Sequence, residues 1–318
     1  MGQPSSVVES PVHEAKTSMS SLVVAFSSFL MWGLLPIYWK QLGHVSSLEL
    51  MCHRMVWSAL FTGVILTLTR RWSEVRAVLA SRASLLWLML TSALLAVNWW
   101  TFIWAVNNNY VLESSLGYYI NPLVNVVLGY VFLRDSLRRF QVVAVLFAVA
   151  GVLNMVVNYG RFPWIALVLA ITFGFYGLVR KVIRPGPLPG LFAETCMASL
   201  LAGPYILWLG SQGAGGLGNH GAYTDLLILL TGAATSIPLL CFAFGARRLR
   251  LVTLGVLQYT APTCFFFLAT FVYGEPFTWV HGVTFALIWT GIGIFTLEGV
   301  RHSRRNKATA SSSGQDQK

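Results

Sequence analysis

The chain has 318 residues, 56% apolar and only 10% charged, with 22 Lys and Arg against 11 Asp and Glu for a net charge of +11. A soluble domain of this length needs far more charge to cover its surface, so that class is excluded. Nucleic-acid binding would want the basic excess on one continuous face, and instead it falls in short clusters between apolar stretches.

Residues 1–19 are polar, contain Pro4, Glu9, Pro11 and Glu14, and lack the apolar core of a cleaved signal sequence. They are expected to be a disordered cytoplasmic N-terminus, with the first span an uncleaved anchor. Ten apolar stretches follow, each near the roughly 20 residues that cross a bilayer as helix. They cover 20–39, 48–69, 84–105, 111–133, 140–158, 162–182, 190–210, 224–245, 251–273 and 277–299. Arg70, Arg71, Arg76 and Arg82 separate the second and third. Arg134, Arg138 and Arg139 separate the fourth and fifth, Arg180, Lys181 and Arg184 the sixth and seventh, and Arg247, Arg248 and Arg250 the eighth and ninth. Arg301, Arg304, Arg305 and Lys307 follow the tenth, whereas the alternate connections carry little beyond Lys40 and Arg161. This positive-inside alternation puts both termini in the cytoplasm and requires an even number of spans. The Gly-rich connection 211–223 then lies outside, and the Ser- and Lys-rich residues 300–318 form a disordered cytoplasmic tail.

Two spans share their punctuation. Tyr119-Ile120-Asn121-Pro122 leads to Asp135 and Tyr259-Thr260-Ala261-Pro262 leads to Glu275, with 13 residues from Pro to acid in each. Five spans per copy is an odd number, so the second copy enters the membrane inverted. The expected fold is an all-α integral membrane protein of ten transmembrane helices in two inverted five-helix repeats, 20–158 and 162–299. Such repeats, with matching helices broken near mid-membrane, point to the binding site of a transporter. Trp32-Gly33 against Tyr176-Gly177 is a weaker echo of the same duplication.

Pro122 and Pro262 each lack an N–H and displace the carbonyl four residues earlier, on Tyr118 and Gln258. In hydrocarbon a freed carbonyl must face protein, water or ligand. A kink and a cavity are both consistent with this. Tyr118, Tyr119, Asn121 and Asn125 beside one Pro, and Gln258, Tyr259 and Thr263 beside the other, form a polar band at membrane depth. Asn98 and Trp99 lie deep in the third span, and the eighth is broken at Pro238. Glu49 and His53, four apart, share a helix face, with Arg54 next to them. A charge towards the bilayer centre costs at least about 2.5–3.5 kcal/mol, so Arg54 either snorkels outward or serves a substrate. Glu194 occupies the corresponding region of the second copy, but at the opposite membrane face from Arg54. These residues are the candidate substrate-binding set, and Pro122, Pro262 and Pro238 the helix breakers.

Asp135 and Glu275 sit between spans, Glu275 before Pro276, and read as helix caps ahead of proton carriers. Gly232, Ala233, Ala234, Gly291 and Gly293 read as helix-packing residues. Cys52, Cys196, Cys241 and Cys264 are scattered, which suits packing over disulfides or metal. No phosphate-binding loop, Gly-x-Ser-x-Gly or His-Glu-x-x-His motif occurs, so no catalytic residue, metal or cofactor is expected and the chain is not read as an enzyme. The expected partners are a small-molecule substrate and the lipid bilayer, with no nucleic acid; a homodimer is compatible with the fold.

Asn98-Trp99, Phe102-Ile103-Trp104-Ala105-Val106-Asn107-Asn108 and Leu112 through Asn125 resemble the RarD subfamily of the EamA-type drug/metabolite transporters. His53-Arg54, Phe175 through Lys181, Pro238 through Phe242 and Arg248 through Leu251 extend the resemblance over about 20–300. It implies a ten-helix inner-membrane permease with two five-helix repeats. The subfamily's name, chloramphenicol sensitivity, fixes no substrate, and the resemblance brings no assigned site residues. The polar N-terminus is longer than the subfamily pattern. The reading settles on a secondary transporter of a small metabolite or drug-like molecule, with a non-transporting membrane receptor or scaffold as the alternative.

In intact cells a Cys at position 215 should react with an impermeant thiol reagent and a Cys at position 312 should not; the reverse labelling would overturn the orientation.

Overall fold

The computed structural model describes residues 19–134, 139–158, 162–182, 186–246, 248–249 and 257–313. Long apolar runs that must satisfy their own backbone in lipid form helices, and no strand occurs among the described residues. The helices are α1 (Met19–Gln41), α2 (Ser47–Leu68), α3 (Trp72–Leu79), α4 (Arg82–Asn107), α5 (Val111–Leu133), α6 (Arg139–Asn158), α7 (Trp164–Val182), α8 (Pro187–Ser211), α9 (Ala222–Ala246), α10 (Thr260–Phe267) and α11 (Trp279–Ser313). Among the described residues seven helices are long and apolar enough to cross a membrane: α1, α2, α4, α6, α8, α9 and the stretch Trp279–Gly299 of α11. Trp164–Arg180 and Thr260–Val272 are apolar but shorter.

Three features depart from the sequence reading. The short helix α3 fills what read as a plain basic connection. Its Val75 and Val78 are buried against Leu188 and Ala193 of α8, and Arg71 and Glu74 form a two-pronged ion pair at 2.6 and 2.8 Å. Second, α11 runs on to Ser313, where a disordered tail from 300 was expected. Residues 301–310 hold no Gly or Pro, and their Arg, Lys and Ala residues favour helix. Third, α10 ends in a π-helical turn, Leu268–Val272, in which Tyr273 N–H donates to Leu268 O at 2.8 Å. Gly274, at φ +63°, then reverses the chain. The expected N-terminal segment up to residue 18 and Asp135 lie outside the described residues, as do Arg138, Arg161, Arg184, Arg247 and Arg250.

The connections gather at two ends of the bundle. One end carries Glu49, Glu113, Asp225 and Glu275 and is called here the acid end; the other carries Arg70, Arg71, Arg82, Arg134 and Arg139 and is called the arginine end. The main core lies towards the acid end and draws Trp39 from α1, Leu50 from α2, Ile103 from α4, Leu116 from α5, Leu169 from α7, Ile228 from α9, Phe265 from α10 and Phe285 from α11.

Contacts between the halves come in matching pairs. Helix α1 packs on α9 as α7 packs on α4, α5 packs on α7 as α10 packs on α1, and α2 packs on α9 as α8 packs on α4. The pairs α2 with α8, α5 with α10, and α6 with α11 map onto themselves.

Lipid tails are as apolar as Leu, so these helices adhere through close packing. A Cβ on Gly232 would stand 2.3 Å from Trp57 O of α2, on Gly291 2.8 Å from Ala144 O of α6, and on Gly117 2.7 Å from Ala166 O of α7. Gly293 has nothing within 4 Å, so only part of the small-residue set read from sequence works as packing.

Gly232→Ala should therefore push α9 off α2 and destabilise by about 1–3 kcal/mol. Gly293→Ala should be neutral or slightly stabilising, since helical Gly itself costs about 1 kcal/mol against Ala. Thermal unfolding midpoints in detergent compare the two.

Candidate substrate site

The Ser46 hydroxyl accepts the Glu49 N–H at 3.2 Å and caps α2. Glu49 Oε1 in turn accepts the Gly216 N–H at 2.5 Å, tying α2 to the connection between α8 and α9. Trp57 Nε1 donates to His53 Nδ1 at 3.3 Å, which assigns the ring proton to Nε2, and that atom faces Glu49 Oε1 at 3.5 Å. Glu49, His53 and Trp57 thus form one stripe at spacing four. Arg54, about 100° around the helix from His53, belongs to another face. The sequence grouped all three around Arg54, and the structure separates them.

Arg54 lies seven residues into α2, about 10 Å along its axis, and is only 4% exposed. Its Nε donates to Thr235 Oγ1 of α9 at 2.8 Å, and its guanidinium lies 3.9 Å from the Trp99 ring and 5.3 Å from the Trp39 ring. The Tyr38 and Tyr118 phenols lie within its electrostatic reach. Nη1 makes no hydrogen bond, and no carboxylate of the described residues comes within ion-pair distance. In sequence Trp39 and Tyr38, near the end of α1, look like an ordinary interfacial aromatic belt, and only the packing brings them to Arg54.

Deeper in the bundle, Asn98 of α4 donates to Leu169 O at 3.0 Å and Thr172 Oγ1 at 2.9 Å, both on α7. The Tyr118 hydroxyl reaches towards Asn98 Oδ1 at 3.5 Å. Asn121 donates to Ala170 O at 3.1 Å, and Asn125 donates to Asn121 Oδ1 at 3.1 Å. On the next face of α5, Ser115 donates to Pro262 O at 2.8 Å. Thr263 donates to Tyr259 O at 2.6 Å, so the 2.7 Å contact between Tyr119 and Thr263 has Tyr119 as donor. Tyr259 stacks on Tyr119 at 6.1 Å and leaves its buried hydroxyl unpartnered. Gln258 sits half-buried in the turn before α10. The structure thus joins Asn98, Tyr118, Asn121 and Asn125 in one chain along α7, and Tyr119, Tyr259 and Thr263 in another along α10.

The two repeat prolines are not equivalent. Pro122 lies inside α5, as Pro238 lies inside α9, but Pro262 is the third residue of α10, where its missing N–H costs nothing. Residues 251–256, the start of the span that would have made Pro262 a mid-helix kink, lie outside the described residues. Pro36 and Pro204 also lie within helices, α1 and α8.

Glu194 stands apart near the arginine end. Its Oε1 accepts from Thr91 at 2.7 Å and faces Arg180 Nη1 at 3.7 Å, while its backbone carbonyl accepts from Ser92 at 2.8 Å. A Cβ on Gly190 would fall 2.2 Å from Arg180 Nη1, so that glycine makes room for the pair. Arg54 and Glu194 are partnered separately, by α9 and α7.

Glu275 caps a helix, but not the one next to it in sequence. Its two oxygens accept the Val111 and Leu112 N–H groups at 2.7 and 2.8 Å, at the start of α5. The π turn and Gly274 swing it there, away from α11. Glu113 likewise accepts the Ile165 N–H at 3.0 Å, at the start of α7. Lys40 donates to Asn109 Oδ1 at 2.5 Å and lies 5.1 Å from the Tyr273 ring, closing the same corner. Burial pushes the Glu275 carboxyl above the ordinary carboxylate range, opposed by the two N–H groups and Lys40. A cavity of about 530 Å³ borders this corner, lined by Glu113, Glu275, His281, Trp104 and Trp164. A second, of about 480 Å³, is an apolar groove among α2, α4 and α8 with Met51, Met55, Met89 and Met197 in its wall. Among the described residues no three His, Cys, Asp or Glu gather where a metal could be held.

The EamA-like transporter family model matches residues 19–157. An uncharacterized transporter of Vibrio cholerae is 42% identical over 91% of this chain and 95% of its own length. Protein RarD of Salmonella typhi is 40% identical over 92% of this chain and 99% of its own. A protein crystal structure at 18% identity superposes with a TM-score of 0.57 over 87% of this chain and 98% of that one, a likeness of fold.

Replacing Glu275 by Ala should uncap α5 and cost about 1–2 kcal/mol, and by Gln less, since one acceptor remains. A carboxyl whose folded pKa is raised keeps a proton that the unfolded chain has lost. Wild-type stability should therefore fall as pH rises from the ordinary carboxylate pKa to the raised one. Unfolding midpoints across that window should lose this slope in both variants.

Proposed function

The chain belongs to the EamA-like transporter family, among its RarD-type members, and from that premise we propose a secondary transporter that exports a small metabolite or drug-like molecule by alternating access. In this reading the chain crosses the bacterial inner membrane ten times, with both termini cytoplasmic, in two inverted five-helix repeats, 20–158 and 162–299. The matched pairs of inter-half contacts support the repeat, because a pseudo-two-fold axis makes each contact recur with the halves exchanged.

One observation supports this reading best: several buried polar groups of the first half find partners in the second. Arg54 bonds Thr235, Asn98 bonds Thr172, Ser115 bonds Pro262 O, Tyr119 bonds Thr263 and Thr91 bonds Glu194. Each net bond of this kind is worth about 0.5–1.5 kcal/mol, small enough for a substrate's polar groups to replace. Apolar packing alone offers a polar substrate no such exchange. A substrate that takes over these bonds releases one half from the other, and the halves can then rock.

Purified protein in liposomes, tested for uptake of a panel of labelled metabolites and drugs, decides between a transporter and a membrane receptor that binds without moving solute. Tyr119→Ala and Gln258→Ala should each lower flux by roughly tenfold, the loss expected from one good polar contact, with expression and insertion near normal. Full flux in both variants would move the site elsewhere in the bundle.

A further inference from the structure

We propose that Arg54 is the subsite for a carboxylate, so that the molecule carried is an organic anion with a flat apolar body. Carriage of that anion rests on the transport reading; its binding does not. A guanidinium cannot lose its charge by deprotonation as a buried Lys can, and a fixed charge at membrane depth needs a counter-charge. Arg54 is 96% covered, and no acid among the described residues reaches it. Glu49, the acid nearest in sequence, is committed to Gly216 and His53. The Trp99 face 3.9 Å away relieves part of the cost through its π electrons, as does Trp39 at 5.3 Å. Neither supplies a negative charge.

The guanidinium is also oriented. The Thr235 hydroxyl holds Nε at 2.8 Å, which fixes the plane, and Nη1 is left without a partner. A rigid planar donor with an unused edge matches the planar, two-oxygen acceptor of a carboxylate. The surroundings match a flat apolar body. Trp99 and Trp39 lie against the guanidinium, and Tyr118, within its electrostatic reach, packs edge-to-face on Phe102 at 5.8 Å and Phe265 at 5.6 Å, so the neighbourhood of the charge is aromatic on α1, α4, α5 and α10. A cationic molecule would meet a fixed positive charge here, and a neutral one would leave it uncompensated.

The test uses the full-length protein in detergent at constant ionic strength, with benzoate, benzamide, benzylammonium and sodium chloride as probes. Thermal unfolding and tryptophan fluorescence are read, since Trp99 reports on the site directly. Benzoate should stabilise saturably and bind at least about tenfold more tightly than benzamide, as expected for a charge-assisted pair over a neutral one. Benzylammonium should have no effect. Arg54→Gln should abolish the preference for benzoate. Arg54→Lys should weaken benzoate by about tenfold with folding retained, because Lys lacks the fork. Equal effects of benzoate and benzamide on the wild type overturn the proposal, whether or not the variants fold. So does chloride acting as well as benzoate, which would leave a halide site only. Benzoate binding with no flux of any solute in liposomes would remove the transport reading and keep the carboxylate site. Flux of neutral and cationic solutes without benzoate binding would do the opposite.

Discussion

Hydrocarbon offers no hydrogen bonds, so a polar group that sinks into this bundle is stabilised only where another part of the chain meets it. An unpaired carbonyl or hydroxyl in that medium costs several kcal/mol, more than any one apolar contact returns. The arrangement of α4, α5, α7, α9 and α10 follows from this constraint. Asn98 and Asn121 reach the carbonyls of α7, Ser115 reaches the carbonyl of Pro262, and Thr235 meets Arg54. The apolar residues then fill the space that these bonds define.

The same constraint explains the acid end. The first N–H groups of α5 and α7 are buried there, out of reach of water, and need acceptors from the rest of the fold. Glu275 and Glu113 supply them across long stretches of chain. Each carboxylate also sits at the positive end of a helix dipole, which favours its charge. Because the capped helix and the capping residue belong to different segments, each cap is also a tie between helices. Lys40 and Asn109 close the gap between them. At the opposite end Glu194 ties α8 to α4 through both side chain and backbone. The two ends are thus fastened by different acids, Glu113 and Glu275 at one and Glu194 at the other.

Arg54 stands outside this scheme. The buried acids at the two ends differ from it: Glu49 has the Gly216 N–H with His53 beside it, Glu194 has Arg180, and Glu275 has two N–H groups. Arg54 has one hydroxyl and two aromatic faces. Several hydroxyls, among them Ser58, Thr101 and Tyr259, are also left unpartnered, but Arg54 carries a full charge, and a charge without a counter-charge is the larger deficit. Natural proteins break the rule of full satisfaction mainly at functional sites.

The sequence was enough for the helical membrane class, because that depends on the local length of apolar runs, and seven of its ten expected spans are long apolar helices among the described residues. It also named Arg54, Asn98, Tyr118 and Tyr119 as polar groups too deep to be incidental. It could not assign their partners. Glu49, His53 and Arg54 are neighbours in the chain, yet the 100° step of the helix sends Arg54 to Trp99 and Thr235 while Glu49 turns to Gly216. Glu275 read as the cap of the helix beside it, and a π turn together with Gly274 delivers it to α5. Pro262 read as a mid-helix break and stands in the first turn of α10. In each case the deciding atoms come from segments far apart in sequence. Only the packed bundle decides which donor meets which acceptor, because in a water-free interior the choice is made by the nearest group in space.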